Sequence, residues 1–315
     1  MSHKILINAA IHPDGTKLLE EAGFRTVIVP ETDLEATGRE LPDAVGMVAN
    51  ALYLLDDAAF ARAPQLKVIG RMGVGYDNVD VAAAARRGIK VCNTPLPIIE
   101  PVAEHTFMLF LAMTRRLLPG ERAVRSGGWR GPDCSPGPEM RGKTIGLVGF
   151  GNTGRRVAEI ARHGFQMAVR YFDAVARPEA ERDLGAKRGT LEEVLAQSDF
   201  ISVHVALTPQ TRGLLGTAAF AAVKQGAYFV NLSRGPVVDE AALVEALRSG
   251  RLAAAGLDVF AQEPPPRDHP LLSLPNVVLT PHVGGGSTES KHGCSMVAKD
   301  VVRVLRGEAP VHSVN

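Results

Sequence analysis

The sequence predicts an α/β protein built from two doubly wound parallel-sheet domains. Short apolar runs alternate with helical patterns in two separate series, which is typical of parallel strands covered by helices on both faces. The chain has 315 residues, too many for one ordinary hydrophobic core. A proline-rich break at Pro95–Pro97 separates the two series. Each series therefore predicts one domain.

The first series fills the first third of the chain. Helical patterns at Gly15–Ala22 and Val79–Arg87 lie between apolar runs that are short enough to be buried strands. These strands are predicted at Ile5–Ala9, Thr26–Val29, Val45–Ala49, Lys67–Gly70 and Ile89–Asn93.

The second series begins after a long apolar helix, predicted over Pro101–Leu117, and a Gly-, Pro- and Arg-rich stretch, Ser126–Arg141. Its strands are predicted at Thr144–Phe150, Ala168–Asp173, Phe200–Val205, Ala227–Leu232, Ala254–Phe260 and Asn276–Pro281. Six strands with helices between them are typical of a complete dinucleotide-binding sheet.

A final helical pattern, Ser287–Arg306, follows three consecutive glycines and has Ser287 as its predicted N-cap. We expect this helix to return to the first domain, which makes that domain discontinuous. The predicted domains are thus a substrate-binding domain, residues 1–98 and 286–315, and a Rossmann-type domain, residues 99–285.

Composition and charge exclude several classes of protein. Lys plus Arg number 35 against 34 for Asp plus Glu, a balance that predicts no surface for nucleic acid or an anionic membrane. No apolar run is long enough to span a bilayer. Cys92, Cys134 and Cys294 are far apart, so neither disulfides nor a metal site is predicted. No signal-peptide pattern precedes the first strand, and the expected location is the cytoplasm.

A GxGxxG sequence follows the first strand of the second series and opens a helical pattern. Gly149 permits the tight turn, Gly151 lets the backbone approach a pyrophosphate, and Gly154 lets helix and strand pack closely. The amides of Asn152 and Thr153 belong to the same helix start, which favours an anion. This strand, turn and helix predict a Rossmann-type cofactor site.

The cofactor is predicted from the end of the next strand. Asp173 lies 19 residues after Gly154, the position of the acid that binds the adenosine ribose in such domains. A carboxylate there repels a 2′-phosphate, so NAD is favoured over NADP. Arg170 and Arg177 lie nearby and leave the strictness of that preference open.

Arg234, Glu263 and His282 follow the last three predicted strands, where open α/β sheets bind ligands. An arginine can grip a carboxylate through two hydrogen bonds, a histidine can transfer a proton, and a glutamate can hold and charge that histidine. Taken singly, each residue is typical of an ordinary loop. Together they predict a catalytic group.

Several further motifs stand in order around these residues. They are Gly73–Asp80, Val102–His105, Gly128–Trp129, Glu139–Thr144, Asn231–Asp239, Gly256–Phe260, Glu263–Pro264 and Thr280–Gly285. With the glycine fingerprint they resemble the D-isomer-specific 2-hydroxyacid dehydrogenases over nearly the whole chain. The resemblance implies hydride transfer between NAD(H) and C2 of a small 2-hydroxy or 2-oxo acid.

The resemblance also implies roles for the residues at the substrate. Arg234 binds the substrate carboxylate and carbonyl, and His282 is the general acid in reduction and the base in oxidation, with Glu263 as its partner. Backbone N–H groups of the loop Gly73, Val74 and Gly75 bind the carboxylate, and Asn50 and Ala51 belong to a second substrate loop.

At the cofactor, the resemblance implies that Asp258 faces the nicotinamide amide. His204, Val205 and Ala206 line the adenine side, where we interpret His204 as a pocket wall rather than a proton carrier. Leu232 and Ser233 complete the predicted cofactor contacts.

The substrate within this family remains open between branches. His282 is followed by Val-Gly-Gly, which places the chain nearer the glyoxylate/hydroxypyruvate reductases and phosphoglycerate dehydrogenases than the D-lactate branch. The loop Val48–Tyr53 has no Lys or Arg to neutralise a phosphate, and no regulatory domain is expected after His282. Both points weaken the phosphoglycerate alternative. Leu52, Tyr53 and Leu54 suit either a larger apolar 2-oxo acid or the protein core.

The remaining expectations concern partners and a rival function. We expect the active site in a cleft between the domains, with hinges at Pro95–Pro101 and Gly284–Ser287. The stretch Ser126–Arg141, which lacks its own core, is the expected contact region of a homodimer. An NAD-sensing, corepressor-like binding module is the alternative of another class, and the near-neutral charge and short flanks argue against it.

Overall fold

The fold is described here from a computed structural model, which covers residues 3–131, 134–135 and 137–315. The chain divides into two compact units, Met1–Ile98 with Gly286–Asn315, and Ile99–Gly285. In both units every strand pairing is parallel. The prediction of an α/β protein with two parallel-sheet domains is confirmed.

The first unit begins with alternating strands and helices. In chain order they are β1 (Lys4–Ile7), α1 (Pro13–Glu21), β2 (Arg25–Ile28), α2 (Leu34–Glu40), β3 (Ala44–Ala49), α3 (Asp57–Ala61), β4 (Val68–Arg71), α4 (Val81–Arg86) and β5 (Lys90–Asn93). The sheet order β2-β1-β3-β4-β5 is that of a doubly wound, flavodoxin-like domain.

The second unit contains the long helix and the larger sheet. Its elements are α5 (Ile99–Thr114), α6 (Leu117–Arg125), β6 (Thr144–Val148), α7 (Asn152–Gly164), β7 (Ala168–Phe172), α8 (Pro178–Leu184), β8 (Lys187–Arg188), α9 (Leu191–Gln197), β9 (Phe200–Val203), α10 (Thr217–Ala222), β10 (Ala227–Asn231), α11 (Glu240–Arg248), β11 (Leu252–Leu257) and β12 (Val277–Leu279). The order β12-β11-β10-β9-β6-β7-β8 reverses direction at β6. That reversal is the switch point where a Rossmann-type sheet binds its ligand.

Helices α12 (Thr288–Ser295) and α13 (Val297–Leu305) complete the first unit. α13 covers β3 and β4 so closely that a Cβ on Gly70 would lie 2.8 Å from Val301. Alternate residues of β1 face opposite cores: Ile5 packs with Val301 on one face, and Leu6 belongs to the core on the other. Burial on both faces explains why the parallel strands are apolar throughout.

Three details of the helices and strands differ from the predictions. The single helix predicted over Ser287–Arg306 is two helices that meet at Met296, after the poor helix formers Gly293 and Ser295. Ser287 is the N-cap, as predicted, and forms a capping box with Ser290. The long helix ends at Thr114 because Arg116 adopts a left-handed φ of 52° that redirects the chain into α6. The short strand β8 is exposed and lacks the apolar pattern that predicts a strand.

Candidate active site

The glycine turn lies between β6 and α7, at the switch point of the larger sheet. Gly149 has a φ of 100°, and a Cβ there would lie 2.6 Å from the carbonyl carbon of His204. A Cβ on Gly154 would lie 2.3 Å from the carbonyl oxygen of Gly149. No atom lies within 4 Å of a Cβ built on Gly151 among the described residues. Two glycines are thus required by close packing, and the third leaves open space.

The open space lies at the N-terminus of α7, a helix of 13 residues. Its N-cap is Gly151, and no side chain caps the helix. The first-turn amides of Asn152, Thr153 and Gly154 are therefore not engaged by a capping side chain, and the helix dipole favours an anion beside them. This arrangement fits the pyrophosphate of a dinucleotide.

Asp173 follows β7 and is tied to the glycine turn. Its Oδ2 accepts a hydrogen bond of 2.6 Å from the N–H of Phe150, and its Oδ1 accepts one of 2.9 Å from the N–H of Val175. The Arg188 guanidinium donates to the main-chain oxygens of Asp173 and Ala174 at 2.9 and 3.1 Å. A cation on the neighbouring strand therefore lies beside the predicted ribose acid. This proximity was not predicted from the sequence.

His204 is held inside the second unit at the end of β9. Its Nε2 lies 2.8 Å from the hydroxyl of Ser202. His204 is partly buried, and this burial lowers its pKa to about 4. The imidazole is neutral near pH 7, which is consistent with a pocket wall. Val205 is half-buried and Ala206 is exposed.

Arg234 is placed by the turn that follows β10. The side chain of Asn231 accepts hydrogen bonds from the N–H and hydroxyl of Ser233 at 2.9 and 2.8 Å, and its Nδ2 donates to the Arg234 carbonyl at 3.1 Å. A Cβ on Gly235 would lie 1.8 Å from the carbonyl carbon of Phe260. The backbone beside Arg234 therefore touches the loop that carries Glu263.

Glu263 and His282 form a direct pair. The Nδ1 of His282 lies 2.6 Å from Glu263 Oε2, and Glu263 Oε1 accepts a 3.0 Å hydrogen bond from the N–H of Phe260. Burial alone would raise the pKa of Glu263, but the bonds with His282 and Phe260 and the charge of Arg234 outweigh it and hold that pKa below its ordinary value. The carboxylate is therefore ionised beside the imidazole near pH 7.

His282 has an unusual backbone conformation that the surrounding structure maintains. Its φ is 54°, in the left-handed region that costs energy for residues other than glycine. Asp258, 2% exposed, holds the adjoining turn: its carboxylate accepts from the Thr280 hydroxyl and from the N–H groups of Val283 and Gly284 at 2.5, 2.9 and 2.7 Å. This positioning role of Asp258 was not predicted. The contact with nicotinamide stays a prediction.

The predicted substrate loops lie in the first unit. Gly73 has a φ of 101°, and its N–H donates to the Thr94 hydroxyl at 2.8 Å. The N–H groups of Val74 and Gly75 have no protein acceptor in the part of the chain that the structure describes. Of the three predicted amides in this loop, those of Val74 and Gly75 are therefore the ones available to a substrate carboxylate.

A buried arginine that was not predicted from the sequence joins the two loops. Arg71 is 6% exposed and donates to the carbonyls of Ala49 and Met72 and to the side chain of Asn78. Asn78 Nδ2 in turn donates to the carbonyls of Asn50 and Tyr53 at 3.1 and 2.7 Å. The only sequence signal was Asn78, inside the motif Gly73–Asp80.

At the apolar end of the second loop, one side chain is buried in the core and two are exposed. Tyr53 is 8% exposed and packs in the first unit's core, whereas Leu52 and Leu54 are 52% and 61% exposed. Asn50 is buried, and its Oδ1 accepts from the N–H of Leu52 at 2.9 Å. Ala51 is exposed. Only the two leucines therefore remain available to an apolar substrate.

Three features define a Rossmann-type, dinucleotide-dependent enzyme. They are an uncapped helix start at the switch point, an acid on the next strand, and an ionised carboxylate beside an imidazole. The model of the family "D-isomer specific 2-hydroxyacid dehydrogenase, NAD binding domain" matches residues 107–284. Together with the relatives described next, this match shows that the chain belongs to the D-isomer specific 2-hydroxyacid dehydrogenase family. It is an NAD-dependent oxidoreductase.

Curated relatives and solved structures agree with this family. The chain is 39% identical to a glyoxylate reductase of Pyrococcus furiosus, over 100% of this chain and 96% of the relative. It is 37% identical to a D-3-phosphoglycerate dehydrogenase of Archaeoglobus fulgidus, over 99% of this chain but 59% of that protein. A crystal structure of a glyoxylate reductase from Paecilomyes thermophila superposes with a TM-score of 0.88 and 31% identity, covering 99% and 98% of the two chains.

No helix among the described residues is long and apolar enough to cross a bilayer.

Proposed function

We propose that this enzyme reduces a small, unphosphorylated 2-oxo acid of the glyoxylate or hydroxypyruvate class, with Arg234, Glu263 and His282 as its catalytic group. The observation that carries the proposal is the 2.6 Å contact between His282 Nδ1 and Glu263 Oε2, beside a turn that fits a dinucleotide. The relatives named glyoxylate reductase support the substrate class.

Arg234 binds and orients the substrate in this proposal. Its planar guanidinium can donate two parallel hydrogen bonds to a carboxylate, and its charge polarises the adjacent carbonyl. Val74 and Gly75 supply further N–H groups to the carboxylate. Holding the 2-oxo acid by its carboxylate leaves C2 free to react.

His282 transfers the proton. Glu263 binds Nδ1, which leaves Nε2 to face the substrate oxygen. In reduction the protonated imidazole gives its proton to the carbonyl oxygen as C2 is reduced, and in oxidation the neutral ring removes it from the hydroxyl. NADH, when bound, supplies the hydride that reduces C2. The glycine turn and Asp173 hold this cofactor, with Asp258, Leu232, Ser233 and the wall His204–Ala206 near its nicotinamide and adenine ends.

The proposed preference for an unphosphorylated acid rests on charge. Arg71, buried beneath the predicted substrate loops, donates hydrogen bonds to main-chain oxygens and to Asn78. The loop Val48–Tyr53 has no basic residue. Residues 48–53 therefore offer a phosphate no cation of their own, which disfavours the phosphoglycerate alternative.

A turnover assay tests the proposal. Purified enzyme is given NADH and, one at a time, glyoxylate, hydroxypyruvate, 3-phosphohydroxypyruvate and a branched apolar 2-oxo acid. We expect the highest kcat/KM with glyoxylate or hydroxypyruvate, and negligible turnover but retained NADH affinity in His282→Ala. The highest kcat/KM with the phosphorylated acid would contradict the substrate class, and an active His282→Ala would contradict the mechanism.

We also propose that the enzyme is a homodimer, formed through the predicted contact stretch Ser126–Arg141 together with the preceding helices α5 and α6. These helices expose large apolar side chains on one unit: Met108 is 43% exposed, Leu117 56% and Val124 56%, and Trp129 after them is 75% exposed. Exposed apolar residues in one region are typical of an interface, and a two-fold pairing with a second copy is the commonest way to cover them. Part of the predicted contact stretch, residues 132, 133 and 136, lies outside the described residues.

A cytoplasmic location remains a proposal. It is supported by the cysteines, because Cys92, Cys134 and Cys294 are all free thiols, as is typical of proteins in a reducing compartment.

A further inference from the structure

Two histidines and an aspartate meet on the surface of the first unit, and none of them belongs to the catalytic group. His12 and Asp14 lie at the start of α1, and His292 lies on α12. The carboxylate Oδ2 of Asp14 lies 3.5 Å from His12 Nδ1 and 3.2 Å from His292 Nε2. The ligand atoms of all three residues lie within 4.8 Å of one another.

The two distances from Asp14 are close to the spacing of neighbouring ligand atoms in a metal site. A tetrahedral Zn²⁺ with ligand bonds of about 2.0–2.1 Å places neighbouring ligand atoms about 3.3 Å apart. The two distances from Asp14 Oδ2 depart from that value by only a few tenths of an ångström. The two imidazole rings stand edge to face, with centroids 5.0 Å apart. They are separate enough for an ion to lie between them after small side-chain rotations.

The backbone that carries the cluster is held in place without an ion. The N–H of His12 donates a 2.7 Å hydrogen bond to the hydroxyl of Ser295, a fully buried residue of α12. A Cβ on Gly15 would lie 2.9 Å from the carbonyl oxygen of Ser295. Helix α1 therefore touches α12 at a fixed register, which brings His292 to the first turn of α1. Ligands held in advance lower the entropic cost of binding an ion.

We propose that His12, Asp14 and His292 form a binding site for a divalent transition-metal ion of the zinc class, which ties α1 to α12. Two imidazole nitrogens and one carboxylate oxygen suit zinc, cobalt or nickel, whereas magnesium and calcium require oxygen ligands. The side chains are 33%, 60% and 49% exposed, so water supplies the remaining ligand.

One existing hydrogen bond changes when the ion binds. His12 Nδ1 accepts from the N–H of Asp14 at 3.2 Å, as the N-cap of α1. Its lone pair turns from that amide to the metal, and the exposed amide at the helix start is then hydrated. The positive end of the helix dipole opposes a cation there, but the charge of Asp14 offsets it.

Metal titration of the full-length, chelator-treated protein tests the site. ZnCl₂ alone is titrated by calorimetry into wild type, His292→Ala, Asp14→Asn and His12→Asn, the last of which keeps a helix-capping side chain. We expect one zinc ion per chain, with affinity at least tenfold lower in each variant. His163→Ala, which removes an exposed histidine of α7, is the matched control and should bind as wild type does.

Two further measurements separate this site from the His282–Glu263 pair. His282→Ala should retain the zinc affinity, and zinc should raise the Tm of wild type but not of His292→Ala. Circular dichroism establishes that each variant is folded. Wild type without zinc binding, His292→Ala with unchanged affinity, or loss of binding only in His282→Ala would each overturn the proposal. None of these results depends on the proposed substrate.

Discussion

At the scale of single residues, the proposed catalytic group depends on geometry that its neighbours impose. Glu263 and His282 belong to different loops, yet their side chains meet at 2.6 Å. The left-handed backbone of His282 is maintained by hydrogen bonds from the following amides to the buried Asp258.

Replacing Arg234 with lysine keeps the charge but removes the planar fork. We expect Arg234→Lys to lose about a hundredfold in kcat/KM, the scale of a misplaced reacting group. Steady-state kinetics with the best 2-oxo acid, beside NADH affinity as a control for folding, measure this. Activity near that of wild type would show that Arg234 does not grip the carboxylate.

Replacing Glu263 with glutamine keeps a hydrogen bond to His282 but removes the charge. An ionised carboxylate favours the protonated form of an imidazole to which it is hydrogen-bonded. Reduction needs the protonated ring and oxidation needs the neutral ring, so the reduction rate should fall and the oxidation rate should rise as pH increases.

We therefore expect both pH profiles of Glu263→Gln to move to lower pH. Profiles of kcat/KM in the two directions give the result, with Glu240→Gln as a control, since Glu240 pairs instead with His269. Unmoved profiles in Glu263→Gln would exclude the pairing.

Removing the carboxylate of Asp173 tests the cofactor preference. Asp173→Ala should weaken NADH binding by about 1–2 kcal/mol, the scale of a hydrogen bond to a charged group. It should also reduce the difference in binding affinity between NADH and NADPH. Arg188→Ala is the paired variant, because Arg188 is the cation beside Asp173. We expect it to weaken the binding of NADPH and to leave the binding of NADH unchanged. Fluorescence titration with both cofactors measures these affinities. A wild type that prefers NADPH would contradict the assignment.

At the scale of elements, the starts of three strands in the larger sheet are joined by one residue. Asp199 precedes β9; its Oδ2 accepts from the N–H of Thr144 at 2.9 Å, and its carbonyl accepts from the N–H of Tyr228 at 2.9 Å. Lys224 donates to its Oδ1 at 2.7 Å. Burial raises the pKa of Asp199, but the bonds with Lys224 and Thr144 outweigh it, and the net shift is downward.

A lowered pKa in the folded state means that ionised Asp199 stabilises the fold. The stabilisation is present above its unfolded pKa and is lost as pH falls through the lower, folded value. Asp199→Asn should therefore lower the free energy of unfolding by about 1–3 kcal/mol near pH 7, and the difference from wild type should shrink below about pH 4.

Urea unfolding across pH measures the effect of Asp199→Asn. Lys224→Met is the comparison variant, and we expect a smaller loss there because the lysine side chain is 48% exposed. A difference between Asp199→Asn and wild type that is independent of pH would show that the charge does not matter.

At the scale of the whole molecule, the proposed dimer is the property to test. Leu117→Glu places a charge among the exposed apolar residues of α5 and α6 and should convert dimer to monomer, since an unpaired charge in an interface is costly. Light scattering after gel filtration measures the mass. Val311→Glu, at a residue 68% exposed in the first unit, is the control and should remain dimeric. A monomeric wild type would refute the dimer.

Close packing explains why several positions in the sequence motifs must be glycine. Gly149 and Gly154 were predicted to permit a turn and a close helix–strand approach, and the structure shows the atoms that exclude a side chain at each. For Gly235, the surrounding sequence motif gave no reason why a side chain should be excluded. Contact with Phe260 supplies it, because the two loops are distant in sequence and their approach is a property of the fold.

The sequence by itself determined the two parallel-sheet domains, the glycine turn and the strand ends that carry Arg234, Glu263 and His282. These features follow from local periodicity and from the rule that parallel strands end at one edge, so they can be predicted without long-range contacts. Only the tertiary structure brought Arg188 beside Asp173, Arg71 beneath the substrate loops, and His292 to His12 and Asp14. Those residues meet through helix and strand packing across distant parts of the chain, and no local pattern encodes that proximity.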